Sequence, residues 1–309
     1  MENDSEPFGL NVSKRPFSPE AENILYKPFN VLDHGFVRLV DYMGNDNSVV
    51  QAARVSYGNG TKRASEDEAL IRYLMRHKHT TPFEMVEMKF HAKMPIFVAR
   101  QWIRHRTASV NEVSARYSIL PNEFYIPSED DLAIQSINNK QGRGETLSPQ
   151  QAREVMNLLR DDGERAYTFY KDLLNEDLQT EEKIDPQRPG IARELARMGL
   201  TLNFYTEWYW KTNLHNLFHF LKLRMDPHAQ KEIRVYADEM AKITQAVAPV
   251  SYKAFHDYRL HSIELSLSDQ IALSKLLREQ GNVNDVAESS FENKREREEF
   301  LRKFQNILR

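Results

Sequence analysis

Met85-Val86-Glu87-Met88-Lys89-Phe90-His91-Ala92-Lys93-Met94 alternates without a fault: Val86, Met88, Phe90, Ala92 and Met94 fall on one parity, and Glu87, Lys89, His91 and Lys93 on the other. A period of two predicts a half-buried strand, one face against a core and the other toward water. Pro95 follows at once. It suits the first position of a helix, where no N–H is needed and φ is already set. The spacing of Ile96, Ala99 and Ile103 carries that helix to about Arg106, with Gln101, Arg104 and His105 on a different side at i, i+3 and i+4. Strands and long helices together place the fold in the α+β class, a mixed sheet-containing core with long helices.

Working outward, Val31 to Tyr42 reads as a strand. Ser65 with Glu68 forms a capping box for an amphipathic helix bearing Leu70, Ile71, Leu74 and Met75 and ending at His77-Lys78-His79. Thr81 as N-cap, Pro82 at the first helical position and Glu84 at the third predict another box. Ser148 and Pro149 open a long helix to about Asn175, and further helices are predicted near 188–199, 212–224, 228–247 and 268–280. Leu202–Trp210 is an aromatic, strand-like stretch. Residues 1–30, with prolines at 7, 16, 19 and 28, read as an irregular arm. Residues 31–283 read as a single domain with a polar surface insertion near 133–148, and 284–309 as a charged helical tail.

The composition, 40% apolar and 28% charged over 309 residues, is that of a soluble globular protein. A net charge of -3 gives no global basic footprint, which argues against duplex nucleic acid as a partner. No stretch is apolar for long enough to span a bilayer, and the acidic start Met1-Glu2-Asn3-Asp4-Ser5 is unlike a secretory signal, so the expectation is a cytoplasmic protein with no membrane partner. The chain has no cysteine. That removes disulfides, thiolate metal sites and every mechanism with a cysteine nucleophile.

The densest chemistry lies in Arg104-His105-Arg106-Thr107-Ala108-Ser109-Val110-Asn111-Glu112-Val113-Ser114-Ala115-Arg116-Tyr117, which holds three guanidiniums, an imidazole, a carboxylate and two serine hydroxyls. Arginine is always charged and offers a planar fork of donors, so three close together point to an anionic ligand, a nucleotide first. Taken singly, Arg104 and Arg106 read equally well as cations at the carbonyl end of their helix. The whole pattern says more. Arg-His-Arg followed after seven residues by Ser114, with Ser109, Asn111, Glu112, Arg116 and Tyr117 in place, resembles the signature of the flavin-dependent thymidylate synthases. His79-Thr80-Thr81-Pro82-Phe83-Glu84 is similar to that family's flavin-contacting stretch. So is the helix bearing Asn213, His215, His219 and Arg224, which runs into Met225-Asp226-Pro227-His228-Ala229-Gln230. The resemblance covers roughly Val31 to Ala248. Some members carry Arg where this chain has His215 and Asn where it has His219.

The resemblance implies synthesis of dTMP from dUMP, with methylenetetrahydrofolate as carbon donor and FAD, reduced by NADPH, as redox cofactor. It implies a homotetramer with active sites at subunit contacts. It places Gln101, Arg104, Glu112, Val113, Ser114, Ala115, Arg116, Arg197 and Arg224 at dUMP. Among these, Arg116 and Ser114 with neighbouring amides sit at the phosphate, and Arg224 faces the pyrimidine as the catalytic group. It places Ser56, His79, Thr81, Glu84, Arg104, His105, Arg106, Glu112, Asn213, His215, His219 and His228 at FAD, with no metal. The missing cysteine is consistent with this, because hydride arriving at C6 of the uracil puts negative charge on a ring oxygen and makes C5 nucleophilic without a protein nucleophile. Ser114 is expected to bind rather than attack, since a nucleophilic serine needs an activating base beside it.

Bland readings compete at several positions. Arg193-Glu194-Leu195-Ala196-Arg197 has the charge spacing of an ordinary helical face, and Phe204, Tyr205, Trp208, Tyr209 and Trp210 read as core or subunit interface. Two other functions remain open from the residues alone. A metal-dependent hydrolase would use His215 and His219 at i, i+4 with a third ligand, although no H-E-x-x-H base lies between them. A single-strand nucleic-acid binder would use the arginines with the aromatics.

Overall fold

The computed structural model describes residues 15–55, 64–137, 142–177 and 182–265, with a few scattered positions beyond. The helix expected at 268–280 lies outside the described residues, as does most of the charged tail. Residues to Leu260 form one compact unit, which holds the elements named below, and those from His261 form a second.

The first half of the unit runs α1 (Pro19–Glu22), β1 (Phe29–Val31), β2 (Gly35–Met43), α2 (Asp46–Arg54), α3 (Ala64–Arg76), α4 (Thr81–Glu84), β3 (Glu87–Pro95), α5 (Ile96–Trp102) and β4 (Ser109–Glu112). The second half runs β5 (Ala133–Gln135), β6 (Arg143–Thr146), α6 (Pro149–Leu174), α7 (Arg193–Ala196), β7 (Tyr205–Asn213), α8 (Leu214–Arg224), α9 (Lys231–Val247) and α10 (Pro249–Phe255). Five strands make one antiparallel sheet in the order β1-β2-β3-β7-β4, and β5 pairs with β6 apart from it. The strand read over Val31–Tyr42 is thus two strands. Leu32, at φ 60°, turns the chain between them.

β3 is the middle strand, and its register with β7 runs unbroken from Glu87 opposite Asn213 to Pro95 opposite Tyr205. Val86, Met88, Phe90, Ala92 and Met94 are fully buried, as the alternation predicts. The other face is less simple. His91 is only 7% exposed, because Arg38 of β2 donates to its Nδ1, Glu207 of β7 pairs with its Nε2, and Tyr209 stacks on the ring at 4.6 Å. A strand in the middle of a sheet can bury a polar residue when both neighbours supply partners.

α5 ends at Trp102, four residues short of the predicted Arg106. Its buried side is Val98, Ala99 and Trp102, and Ile103 is exposed. Trp102 is the anchor, packed on Phe220 at 5.0 Å, Trp208 at 5.5 Å and Trp210 at 5.6 Å. The β-branched and polar residues that follow favour strand over helix, and Ser109–Glu112 pair with β7 at the sheet's edge. A second cluster, Phe124, Tyr167, Tyr170, Leu174, Ala196 and Phe204, fixes α6.

Other expected boundaries shift, and the strand read at Leu202–Trp210 is β7, Tyr205–Asn213, which continues to the start of α8. Thr80, not Thr81, is the N-cap of α4, and no side chain caps that helix. α3 begins at Ala64, one residue before Ser65. The predicted 188–199 helix shrinks to α7 and a single 3-10 turn over Arg197–Gly199. The long helix holds as read: Ser148 and Gln151 form its capping box and Asn175, left-handed at φ 55°, ends it.

Candidate functional site

β7 runs straight into α8, and Asn213 at the junction caps the helix, its side chain accepting from the Asn216 amide. That junction aims α8 across the end of α5. At the far end of α8, Arg224 Nε donates to His105 Nε2 at 3.0 Å and its NH2 group donates to the Gln101 carbonyl at 3.3 Å. His105 also meets Phe220 and His219 edge-on, at 4.9 and 5.9 Å. Burial first, then the charges of Arg224 and His219, pull the His105 pKa down to about 4. Burial, and then Arg104, lower that of Arg224. Arginine keeps its charge regardless.

Around this pair lies a cavity of about 340 Å³ whose walls include Arg104, His105, Arg106, His219 and Arg224. A second cavity, of about 200 Å³, shares His219 and is lined by His79, His215, Lys222 and Arg259 over an apolar wall of Phe83, Phe218 and Phe255. Phe218 and Phe255 stack at 4.4 Å. Burial lowers the His215 pKa, Glu84 opposing, which adds Glu84 to the second cavity's electrostatics. Thus one region of a single chain gathers His79, Arg104, His105, Arg106, His215, His219 and Arg224.

Thr81, Glu112, Val113, Ser114, Ala115, Arg116, Arg197 and His228 line neither cavity. Glu112, on exposed β4, accepts from Thr206 Oγ1 at 2.6 Å. The Val113 amide donates to the Glu207 carbonyl, and the Arg116 amide to Ser114 Oγ at 3.3 Å. Ala115 is buried. Arg116 is exposed and pairs with Glu194 at 3.1 Å, and Arg197 is exposed on its 3-10 turn. Thr81 is exposed on α4. His228 pairs with Asp226 at 2.9 Å beside a different, more polar cavity formed by the β5–β6 hairpin and the start of α9. Ser56 lies outside the described residues.

Sequence reasoning missed several wall residues. Thr107, Trp210, Thr212, Asn216 and Leu223 line the first cavity, and Met75, Lys222 and Arg259 the second. Asn216, three residues from Asn213 on one helix face, carried a usable signal. Arg259 carried none: it is delivered by a π-helical turn over His256–Leu260 that ordinary helical spacing does not foresee.

A family model described as "Thymidylate synthase complementing protein" matches residues 38–250. A flavin-dependent thymidylate synthase of Rickettsia conorii is 54% identical over 295 residues, covering 95% of this chain and 99% of its own. The chain belongs to the flavin-dependent thymidylate synthases. A family member from Gluconobacter oxydans is 58% identical over 262 residues, covering 85% of this chain and 82% of its own. Among solved structures, a UMP/dUMP methylase PolB from Streptomyces cacaoi, bound with 5-Br UMP, superposes with a TM-score of 0.65 at 34% identity, over 76% of this chain and 99% of that one.

The residues present fit the family's flavin. Arg104 and Arg106 stand exposed at the first cavity as donors for a pyrophosphate, and the phenylalanine wall of the second offers a flat ring an apolar surface. Among the described residues no three His, Asp or Glu side chains converge to hold a metal ion. The His215 and His219 pair therefore lacks a third ligand there, and the metal-dependent hydrolase reading has no support. No helix among the described residues is long and apolar enough to cross a membrane.

Proposed function

We propose that the chain methylates dUMP to dTMP at a site whose centre is Arg224, held by a neutral His105 and the Gln101 carbonyl. That held guanidinium is the observation that carries the reading. It is fixed in direction before any ligand arrives, half-buried, and positive, which is what a developing negative charge on a uracil oxygen needs. Bound FAD, reduced by NADPH, supplies the hydride, and methylenetetrahydrofolate the carbon. The UMP/dUMP methylase of similar structure, bound with a brominated UMP, supports a pyrimidine nucleotide as substrate.

In this reading Gln101 and Arg104 hold the nucleotide beside Arg224, while His79, Thr81, Glu84, His105, Arg106, Asn213, His215, His219 and His228 border the flavin. Ser114 and Arg116 take the nucleotide phosphate, Arg197 helps to hold the nucleotide, and Glu112, Val113 and Ala115 lie beside them. Within one chain that second group lines neither cavity. The site is therefore completed by a second copy, in a homotetramer. Val110, Val113, Tyr117, Met198 and Leu202, all exposed apolar side chains near this group in sequence, suit such a contact. A visible absorption titration with FAD and then dUMP tests the reading. A saturable flavin spectrum that shifts on adding dUMP supports it, and no flavin binding overturns it.

A further inference from the structure

Gln101 has a second connection, independent of Arg224. Its side-chain Nε2 donates to Gln230 Oε1, and Gln230 Nε2 donates to Glu232 Oε2 at 2.9 Å. Glu232 is 1% exposed. Its other oxygen accepts from the Tyr125 hydroxyl at 3.1 Å and from Arg143, which comes from β6 of the hairpin. Burial and the carboxylate beside it push the Tyr125 phenol's pKa up, so the hydroxyl keeps its proton and donates.

The chain of bonds has a direction. An ionised carboxylate only accepts, so Gln230 must turn its NH2 toward Glu232 and its carbonyl oxygen toward Gln101. Gln101 must then turn its own NH2 to Gln230, which leaves its carbonyl oxygen as the group offered to a ligand. Without the carboxylate, both amides are free to flip. A buried and fully partnered carboxylate is costly to assemble, and its three donors, Gln230, Tyr125 and Arg143, come from three separate places in the chain.

We infer that Glu232, acting through Gln230, is a positioning residue that fixes Gln101 as a hydrogen-bond acceptor facing the nucleotide, and that Arg143 of the hairpin, paired with Glu232, holds that carboxylate in place. The inference rests on the placement of Gln101 at dUMP. It gives the hairpin, a stretch of sequence that reads as surface, a part in substrate selection. The ligand group that meets Gln101 is a donor, a sugar hydroxyl or the ring N–H.

A double-mutant cycle on the FAD-loaded protein tests it, with dUMP affinity measured by calorimetry. Gln101→Ala and Glu232→Gln are each expected to weaken dUMP about tenfold, the loss of one oriented hydrogen bond. The double variant is expected to be no weaker than Gln101→Ala alone, because Glu232 acts only through Gln101. Gln230→Met, at an exposed position, repeats the test where Glu232→Gln fails to fold, with the same non-additivity expected. Additive losses, or full dUMP affinity in the Glu232 and Gln230 variants while Gln101→Ala is weakened, overturn the inference alone. Full dUMP affinity in Gln101→Ala removes Gln101 from the site and overturns both. With dUMP analogues lacking the 3′-hydroxyl or methylated at ring N3, the donor is identified as the group whose removal abolishes the Gln101→Ala effect. If neither does, Gln101 is not acting as an acceptor.

Discussion

Arg224 donates from Nε to His105 Nε2 at 3.0 Å, so the imidazole carries its own proton on Nδ1 and is neutral. Protonating His105 replaces an acceptor with a cation facing a guanidinium. The two residues can therefore keep their arrangement only while the histidine is uncharged.

A pH dependence follows with a definite sign. His105 has an ordinary value of 6.5 and a folded value of about 4, so between these the unfolded chain binds the extra proton. Its contribution to stability is complete above the first value and is lost as the pH falls toward the second. Thermal melts across this range are expected to show a shallower acid decline for His105→Asn than for the parent. Parallel curves would show that His105 is not the group responsible.

Replacing Arg224 with Lys removes the fork that reaches His105 and the Gln101 carbonyl together. Affinity for dUMP is expected to fall by tenfold or more, given about 1.5–3 kcal/mol for a charged hydrogen bond. An unchanged Kd in calorimetry would remove Arg224 from the nucleotide site.

Arg116 and Ser114 follow β4 in the chain, whereas Arg104 and Arg106 precede it. Arg116→Ala is expected to weaken dUMP far more than FAD, and equal losses in paired titrations would argue against its place at the phosphate. Ser114 Oγ accepts from the Arg116 amide, a loop-shaping role. Ser114→Ala is accordingly expected to raise KM for dUMP and retain measurable turnover. Normal dUMP binding with no turnover at all would make it the nucleophile instead.

Trp102 closes the core under the site, against two tryptophans and Phe220. Trp102→Ala is expected to cost about 3–5 kcal/mol of stability by the usual scale for large aromatic deletions. Urea denaturation of the two proteins measures the difference.

The central strand was legible because its apolar residues alternate and the face they form is fully buried. The helix after it was legible only in part. Nothing local in Ile103-Arg104-His105-Arg106 forbids helix; pairing of Ser109–Glu112 with β7, almost a hundred residues later, ends it. The same cause hid the partners of His91 and the bond chain from Gln101 to Glu232, since each depends on which strands and loops become neighbours. The cavity residues carried by the arginine motif and α8 were readable from their chemical types. Arg259 was not, because a π-helical turn shifts its direction by one residue from what regular spacing gives.

β4 is four residues long, exposed on both faces and paired along one edge only. It stands between Arg104 and Arg106 on one side and Ser114 and Arg116 on the other, and is itself about 13 Å long at roughly 3.3 Å of rise per residue. The strand works as a ruler with a parity. Losing or gaining one residue there would turn every side chain beyond it to the opposite face, while a change of two would keep direction and alter only reach. Length changes in this segment are therefore tolerable, if at all, only in pairs.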